Sequence, residues 1–176
     1  MKKSVGNLLL FAMASAGFFA LVLAVYVTDK ALAGRLSVDL ALINLGGAIC
    51  RFGLDLTIIQ KSDRSLRFGL GNAWAVVPVA ALVYSLVMLA GAQNVGLASL
   101  VFLVTTAAFN EILAAHLRNA GLHLFIYVLR IASFVPAVAL VLLTPDPGGA
   151  TIQSALLMIN GGVFVGLYAI GVWRIG

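Results

Sequence analysis

Apolar residues follow one another along this chain in six long stretches, each of about the length that a membrane-spanning helix needs. The stretches are residues 5–27, 36–59, 70–91, 95–117, 124–143 and 151–173. A helix needs about 20 apolar residues to cross a hydrocarbon core of about 30 Å. The stretches lack the apolar-polar alternation of barrel strands. The pattern therefore predicts an all-α fold, a single transmembrane domain (residues 1–176) built as a polytopic bundle of six spans.

Composition excludes a soluble globular protein. The chain is 62% hydrophobic and only 10% charged, with a mean hydropathy of +1.12. A soluble domain of 176 residues could not bury so large an apolar fraction in one core. The composition indicates an integral membrane protein that contacts membrane lipids.

Basic residues between the apolar stretches predict how the bundle is oriented. Cytoplasmic loops of membrane proteins carry an excess of Lys and Arg. With six spans, the side that holds both chain ends carries Lys2, Lys3, Lys61, Arg64, Arg67, Arg118 and Arg174. The opposite side carries only Lys30 and Arg35. We therefore expect both ends in the cytoplasm. The net charge of +5 is scattered over loop ends, so no nucleic-acid partner is predicted.

The sequence contains no pattern for catalysis, for a metal or for a cofactor. Cys50 is the only cysteine, and His116 and His123 flank one turn with no second cluster of metal-ligating residues. The HExxH, GxSxG and Walker motifs are absent, and the six carboxylates are far apart along the chain. We expect a protein that is not an enzyme and that needs neither cofactor nor metal.

The second apolar stretch carries Arg51 and Asp55. A charge near the centre of a spanning helix costs about 2.5 to 3.5 kcal/mol on insertion scales and usually faces a partner or a wet cavity. On a continuous helix at about 100° per residue, Asn44, Arg51 and Asp55 fall within about 40° of one another. Asp39 points elsewhere and is predicted at the outer boundary. Asn44, Arg51 and Asp55 are thus expected to line the interior of the bundle.

Two further charges belong to the same predicted depth, Glu111 in the fourth stretch and Arg130 in the fifth. Arg51 could pair with Glu111 or Asp55, and Arg130 with Glu111, which would lower the cost of each charge. Such a network could form a cytoplasmic gate. A purely structural alternative remains open, in which Arg51 pairs with Asp55 along the helix or extends towards the membrane surface.

Two other patterns concern packing within the bundle. Gly162 and Gly166 form a GxxxG pattern in the sixth stretch, which allows two helices to approach closely and is expected to act within the chain. Pro78 and Pro136 lie inside the third and fifth stretches, where a proline kinks a helix.

Two segments resemble a known family of membrane proteins. Residues 40–45 (LALINL), 51–55 (RFGLD) and 58–61 (IIQK) resemble the second helix of bacterial oligosaccharide flippases. Residues 114–121 (AAHLRNAG) resemble the end of that family's fourth helix, which leads into a fifth helix with a proline, here Pro136. These flippases form the polysaccharide-export branch of the multidrug/oligosaccharidyl-lipid/polysaccharide (MOP) superfamily. The first external turn, residues 28–35, lacks the proline and aromatic that the family often shows there.

The resemblance implies one lobe of a MOP/MATE-type transporter. Family members generally have two six-helix lobes around a central cavity, so the chain looks like an amino-terminal half. Its second lobe would be a continuation of the chain, a separate chain, or another copy in a homodimer. The implied function is translocation of a polyprenyl-diphosphate-linked oligosaccharide across the bacterial inner membrane for cell-surface polysaccharide biosynthesis. Arg51 and Arg130 would meet the diphosphate or acidic sugars of this lipid-linked sugar substrate.

Two other functions remain open at this point. The chain could be an accessory or assembly protein of the membrane that transports nothing itself. It could also be a small ion-coupled exporter, in which Asp55 or Glu111 exchanges protons, because burial raises the pKa of a carboxyl group.

Overall fold

The computed structural model describes residues 2–54 and 66–174. Over these residues the regular secondary structure consists of helices alone. The six helices are α1 (Lys2–Thr28), α2 (Lys30–Cys50), α3 (Leu66–Met88), α4 (Leu97–Asn119), α5 (His123–Leu143) and α6 (Gly149–Arg174). A short 3-10 turn, Leu89–Gly91, follows α3. The predicted all-α bundle is confirmed.

Most of these helices are long and apolar enough to cross a membrane. Within the described residues five helices meet that condition, and Ala16–Thr28 is a shorter apolar stretch at the end of α1. Large apolar side chains such as Val79, Val87, Leu143 and Val165 are mostly exposed on the outside of the bundle. Because lipid is the solvent that such a surface suits, the long helices indicate a multi-pass membrane protein.

Five of the helices surround a common interior. Around this interior the order of neighbours is α1, α2, α4, α6, α5 and back to α1, while α3 packs from outside against α2 and α4. Helix α4 supplies much of the core, because it contacts α2, α3 and α6 together. Its side chains at Leu100, Leu103, Ile112, Leu113 and Leu117 are fully buried.

Glycines set the close approach between helices. A Cβ added at Gly47 of α2 would lie 2.9 Å from the Cβ of Ala107 in α4, so these two backbones almost touch. On α6, added Cβ atoms at Gly162 and Gly166 would lie 3.1 Å from Ser133 Oγ and 2.6 Å from Leu129 Cδ2, both on α5. The prediction that the GxxxG pattern serves packing within the chain is confirmed.

Helix α2 differs from the predicted second stretch at both ends. It begins at Lys30 because Asp29 caps it, with Oδ1 accepting from the backbone N of Ala31 (2.8 Å) and Leu32 (3.2 Å). It ends at Cys50 and not at residue 59. The chain turns at residues 51–53, with positive φ at Phe52 (49°) and Gly53 (70°).

The end of α2 corrects the argument that placed three polar residues on one helical stripe. A residue in the left-handed region cannot continue an α-helix, so the continuous helix assumed for that stripe ends before Phe52. The pairing of Arg51 with Asp55 stays a prediction. Asp55 itself belongs to residues 55–65, which lie outside the described residues.

Candidate functional site

A cavity of about 540 Å³ lies in the interior that the five helices share. Its walls are largely apolar and include Phe18 and Phe19 of α1 and Phe134 of α5. Its polar lining consists of Asn44, Arg51, Asn110, Glu111, Arg130 and Asn160. Cavities of about 300 to 1,000 Å³ with apolar walls and a few polar groups are typical of small-molecule binding sites. This cavity is therefore the candidate site.

Four of the six predicted site residues meet in this cavity. Asn44, Arg51, Glu111 and Arg130 come from α2, the end of α2, α4 and α5, and each lines it. Asp39 is not part of the lining. Asp55 lies outside the described residues, so its place remains a prediction.

The carboxylate of Glu111 joins two arginines. Its Oε1 accepts a hydrogen bond from Arg130 Nη2 in an ion pair. Its Oε2 lies 3.5 Å from Arg118 Nη2. The predicted pair of Arg130 with Glu111 is therefore confirmed. Arg118, which the sequence presented only as a mark of the cytoplasmic side, is a further member. It lies seven residues, or about two helical turns, after Glu111 on the same face of α4.

Arg51 reaches the same depth as Glu111. Helices α2 and α4 run parallel to each other. Asp39, early in α2, accepts a hydrogen bond from the backbone N of Gln93, just before α4, and Gly47, later in α2, packs against Ala107, within α4. Arg51 follows Gly47 by four residues and Glu111 follows Ala107 by four, so the two side chains leave their helices at about the same level. Arg51 also occupies the C-cap of α2, where the helix dipole stabilises a cation.

Three arginines lie at this level. Arg118 and Arg130 share the carboxylate of Glu111, and Arg51 lines the same cavity as Glu111 and Arg130. The side chains of Arg118, Arg130 and Glu111 are 40%, 27% and 31% exposed, so all three remain accessible. A guanidinium fork binds phosphate or carboxylate in a bidentate way, and the arrangement suits an anion.

Two asparagines were not predicted as site residues. Asn110 is buried, and its Nδ2 donates to the backbone oxygen of Asn160 at 3.3 Å. Asn160 in turn donates from Nδ2 to Leu156 O at 3.1 Å. The signal that could have revealed them is the same as for Arg51, a polar side chain inside an apolar stretch, where it is costly without a partner.

Asp39 has a different surrounding at the other end of α2. The residue is fully buried, and its carboxylate accepts from Gln93 N at 2.7 Å, from Asn94 N at 3.0 Å and from Asn94 Nδ2 at 2.7 Å. These bonds fix the connection between α3 and α4 to α2. Asp39 thus has a structural role in the described part of the protein.

No known protein family, no curated protein and no solved structure matches the chain. Among the described residues no group of three His, Cys, Asp or Glu side chains is placed to hold a metal ion. The cavity and its charges are therefore the features that bear on function.

Proposed function

We propose that this chain is one lobe of a flippase-like transporter of the bacterial inner membrane. Its substrate is a polyprenyl-diphosphate-linked oligosaccharide used in cell-surface polysaccharide biosynthesis. The observation that carries the proposal is the cavity inside a bundle of apolar helices, with Arg51 and Arg130 in its wall.

The electrostatics of the cavity favour a lipid-linked anion. An arginine in the apolar part of a membrane is costly unless a partner or water compensates its charge. A diphosphate supplies negative charge and several acceptor oxygens, so it stabilises two guanidinium groups at once. In the described residues Glu111 holds Arg130 and lies near Arg118. A phosphate that enters the cavity would compete with Glu111 for Arg130, and Arg51 lines the same cavity.

The size of the cavity limits which part of the substrate it holds. About 540 Å³ is typical of a site for a drug-sized molecule, which corresponds to a diphosphate with an adjacent sugar. We infer that the remaining sugars and the lipid tail extend beyond this lobe. A second six-helix lobe, in the same chain, a separate chain or a second copy, would complete the pathway, and transport would follow from rocking of one lobe against the other.

The test is substitution of Arg51 in the native cell. Arg51→Leu should abolish surface glycan, measured by lectin staining, without lowering the amount of membrane protein on an immunoblot. The matched control is Arg35→Leu, which removes an exposed arginine from the same helix without touching the cavity. Normal surface glycan in the Arg51→Leu cells would contradict the proposal.

A second candidate is an accessory membrane protein that transports nothing. The observation that favours it is the set of ion pairs around Glu111, since a static bundle would also pair the charges in its apolar helices. The two candidates predict different results for the Arg51→Leu substitution. In an accessory protein this substitution leaves substrate binding unaffected. An ion-coupled exporter would differ from both by a transport rate that depends on pH, so transport independent of pH would count against it.

A further inference from the structure

The two oxygens of the Glu111 carboxylate have different partners. Oε1 accepts a hydrogen bond from Arg130 Nη2, whereas Oε2 lies 3.5 Å from Arg118 Nη2. Arg118 is on α4, the helix of Glu111 itself, and Arg130 is on α5. Because each arginine uses its own oxygen, one of the two contacts can break while the other remains.

Of these two arginines, Arg130 alone belongs to the lining of the cavity among the described residues. Glu111 lines the cavity beside it, and Arg118 does not. An anion in the cavity would therefore compete for Arg130 and leave Arg118 to Glu111. The 3.5 Å between Arg118 and Glu111 exceeds the length of about 2.7 to 2.9 Å that is typical of a charge-assisted hydrogen bond. Arg118 can thus approach Oε2 more closely than it does here.

The surroundings of Glu111 after Arg130 has left decide how easily an anion binds. A carboxylate that loses its cationic partner within apolar helices is costly. It would also repel the anion that displaced it. A second arginine that stays with the carboxylate lowers both costs. Arg118 is in the right place for this, since it follows Glu111 by about two turns on the same face of α4.

We propose that Arg118 is a positioning residue for the anion site, which holds the carboxylate of Glu111 when an anion binds Arg130. Binding then exchanges one ion pair for another and leaves neither Glu111 nor Arg130 without a partner. The identity of the anion rests on the proposed function, whereas the exchange rests on the two contacts of Glu111. Since Arg118 acts through Glu111, removal of that carboxylate should abolish the effect of Arg118.

A double-mutant cycle on the full chain in nanodiscs tests the proposal, with farnesyl diphosphate as the probe. Arg118→Gln should weaken binding about threefold, the effect of one partly exposed ion pair. In a Glu111→Gln protein the same substitution should leave the affinity unchanged, because no carboxylate remains for Arg118 to hold. Arg118→Lys keeps a cation near Glu111 and should restore most of the affinity.

Two controls separate this role from general effects. Arg35→Gln removes an exposed arginine from α2, outside the lining of the cavity, and reports how net charge alone affects an anionic probe. Thermal unfolding of Arg118→Gln reports any damage to the bundle. If Arg118→Gln does not fold, Arg118→Met replaces it in the cycle, because methionine keeps much of the apolar stem of arginine.

The outcomes separate the exchange from the proposed function. Unchanged affinity in Arg118→Gln, or an Arg118→Lys protein that binds no better than Arg118→Gln, would overturn the role of Arg118 and leave the anion site intact. An equal loss with and without Glu111 would also overturn it, because Arg118 would then act on the anion directly.

A separate result bears on the anion site itself. If Arg51→Leu leaves probe binding unchanged while Arg118 still acts through Glu111, the assignment of Arg51 in the proposed function is overturned and the exchange is supported. Absence of probe binding by the unsubstituted protein would overturn both.

Discussion

Acidic residues at two levels of this bundle have opposite surroundings. At one level, Asp39 is fully buried and accepts three hydrogen bonds from Gln93 and Asn94, all within the fold. At the other level, Glu111 is 31% exposed, lines a cavity and pairs with arginines that outnumber it. We call the first the Asp39 clamp (Asp39, Gln93 and Asn94) and the second the arginine cluster (Arg51, Glu111, Arg118 and Arg130).

This contrast distinguishes a charge that stabilises the fold from one that a ligand can reach. Three hydrogen bonds satisfy most of the acceptor capacity of the Asp39 carboxylate, and its full burial separates it from solvent. In the arginine cluster Arg118 and Arg130 share one partly exposed carboxylate, and Arg51, Glu111 and Arg130 line a cavity. Removal of a charge should therefore affect stability at the clamp and affinity at the cluster.

The largest expected effect is a loss of stability at the clamp. Asp39→Leu would leave the backbone N–H groups of Gln93 and Asn94 without their acceptor, at a cost of about 3 kcal/mol in the free energy of unfolding. Thermal unfolding of the protein in detergent measures it. Asp146→Leu, at an exposed loop position, is the control and should change little. Equal unfolding temperatures for the two variants would show that the clamp contributes nothing.

A second expected effect concerns the close contact between α2 and α4 at Gly47 and Ala107. Gly47→Leu would force a large side chain against Ala107, where even a Cβ atom would lie 2.9 Å from its neighbour. Overpacking of this kind typically costs about 1 to 3 kcal/mol. Gly34→Leu, where an added Cβ meets nothing within 4 Å, should be tolerated. Unfolding curves of both variants test this, and a Gly47→Leu protein as stable as the control would contradict the close approach of α2 and α4.

At the arginine cluster, Glu111→Gln should change affinity more than stability. The ion pairs are partly exposed, so their loss should cost about 1 kcal/mol or less. The same change removes the carboxylate that competes with an anion for Arg130, so farnesyl diphosphate should bind about tenfold more tightly. Titration of the probe measures this, with Asp146→Asn as the control for charge. Weaker binding in Glu111→Gln would mean that Glu111 takes part in binding the probe.

The smallest expected effect concerns the turn that carries the chain out of α2. Gly53→Ala places a Cβ on a residue with φ of +70°, which should destabilise the protein by about 1 kcal/mol. Gly71→Ala, in a helix and with open space around it, is the control and should be neutral or slightly stabilising. Unchanged stability in Gly53→Ala would show that the turn at residues 51–53 tolerates another conformation.

Sequence reasoning predicted the later helices closely. Predicted stretches 95–117, 124–143 and 151–173 correspond to helices whose ends differ by at most two residues. Length and hydrophobicity determine such helices almost alone in a membrane. The ends of α2 were harder to predict. A charged residue such as Lys30 is typical of a loop, and the positive φ of Gly53 does not change the pattern of apolar residues.

The charges of the site were predictable and their surroundings were not. Arg51, Glu111 and Arg130 stand out because a charge in an apolar stretch is costly, and the cavity brings all three together. The bond from Gln93 to Asp39 joins residues 54 positions apart, and no local pattern reports a contact between residues so far apart. Asn110 and Asn160 were missed for a different reason: a neutral amide in an apolar stretch is a weaker signal than a charge.

The most direct test of the central claim is the affinity of the full chain for farnesyl diphosphate in nanodiscs, compared between the unsubstituted protein, Arg51→Leu and the control Arg35→Leu. If the cavity binds a diphosphate through Arg51, then Arg51→Leu should weaken binding about tenfold to a hundredfold, and Arg35→Leu should not change it. Equal affinities in all three proteins would contradict the claim that the arginine cluster is an anion site.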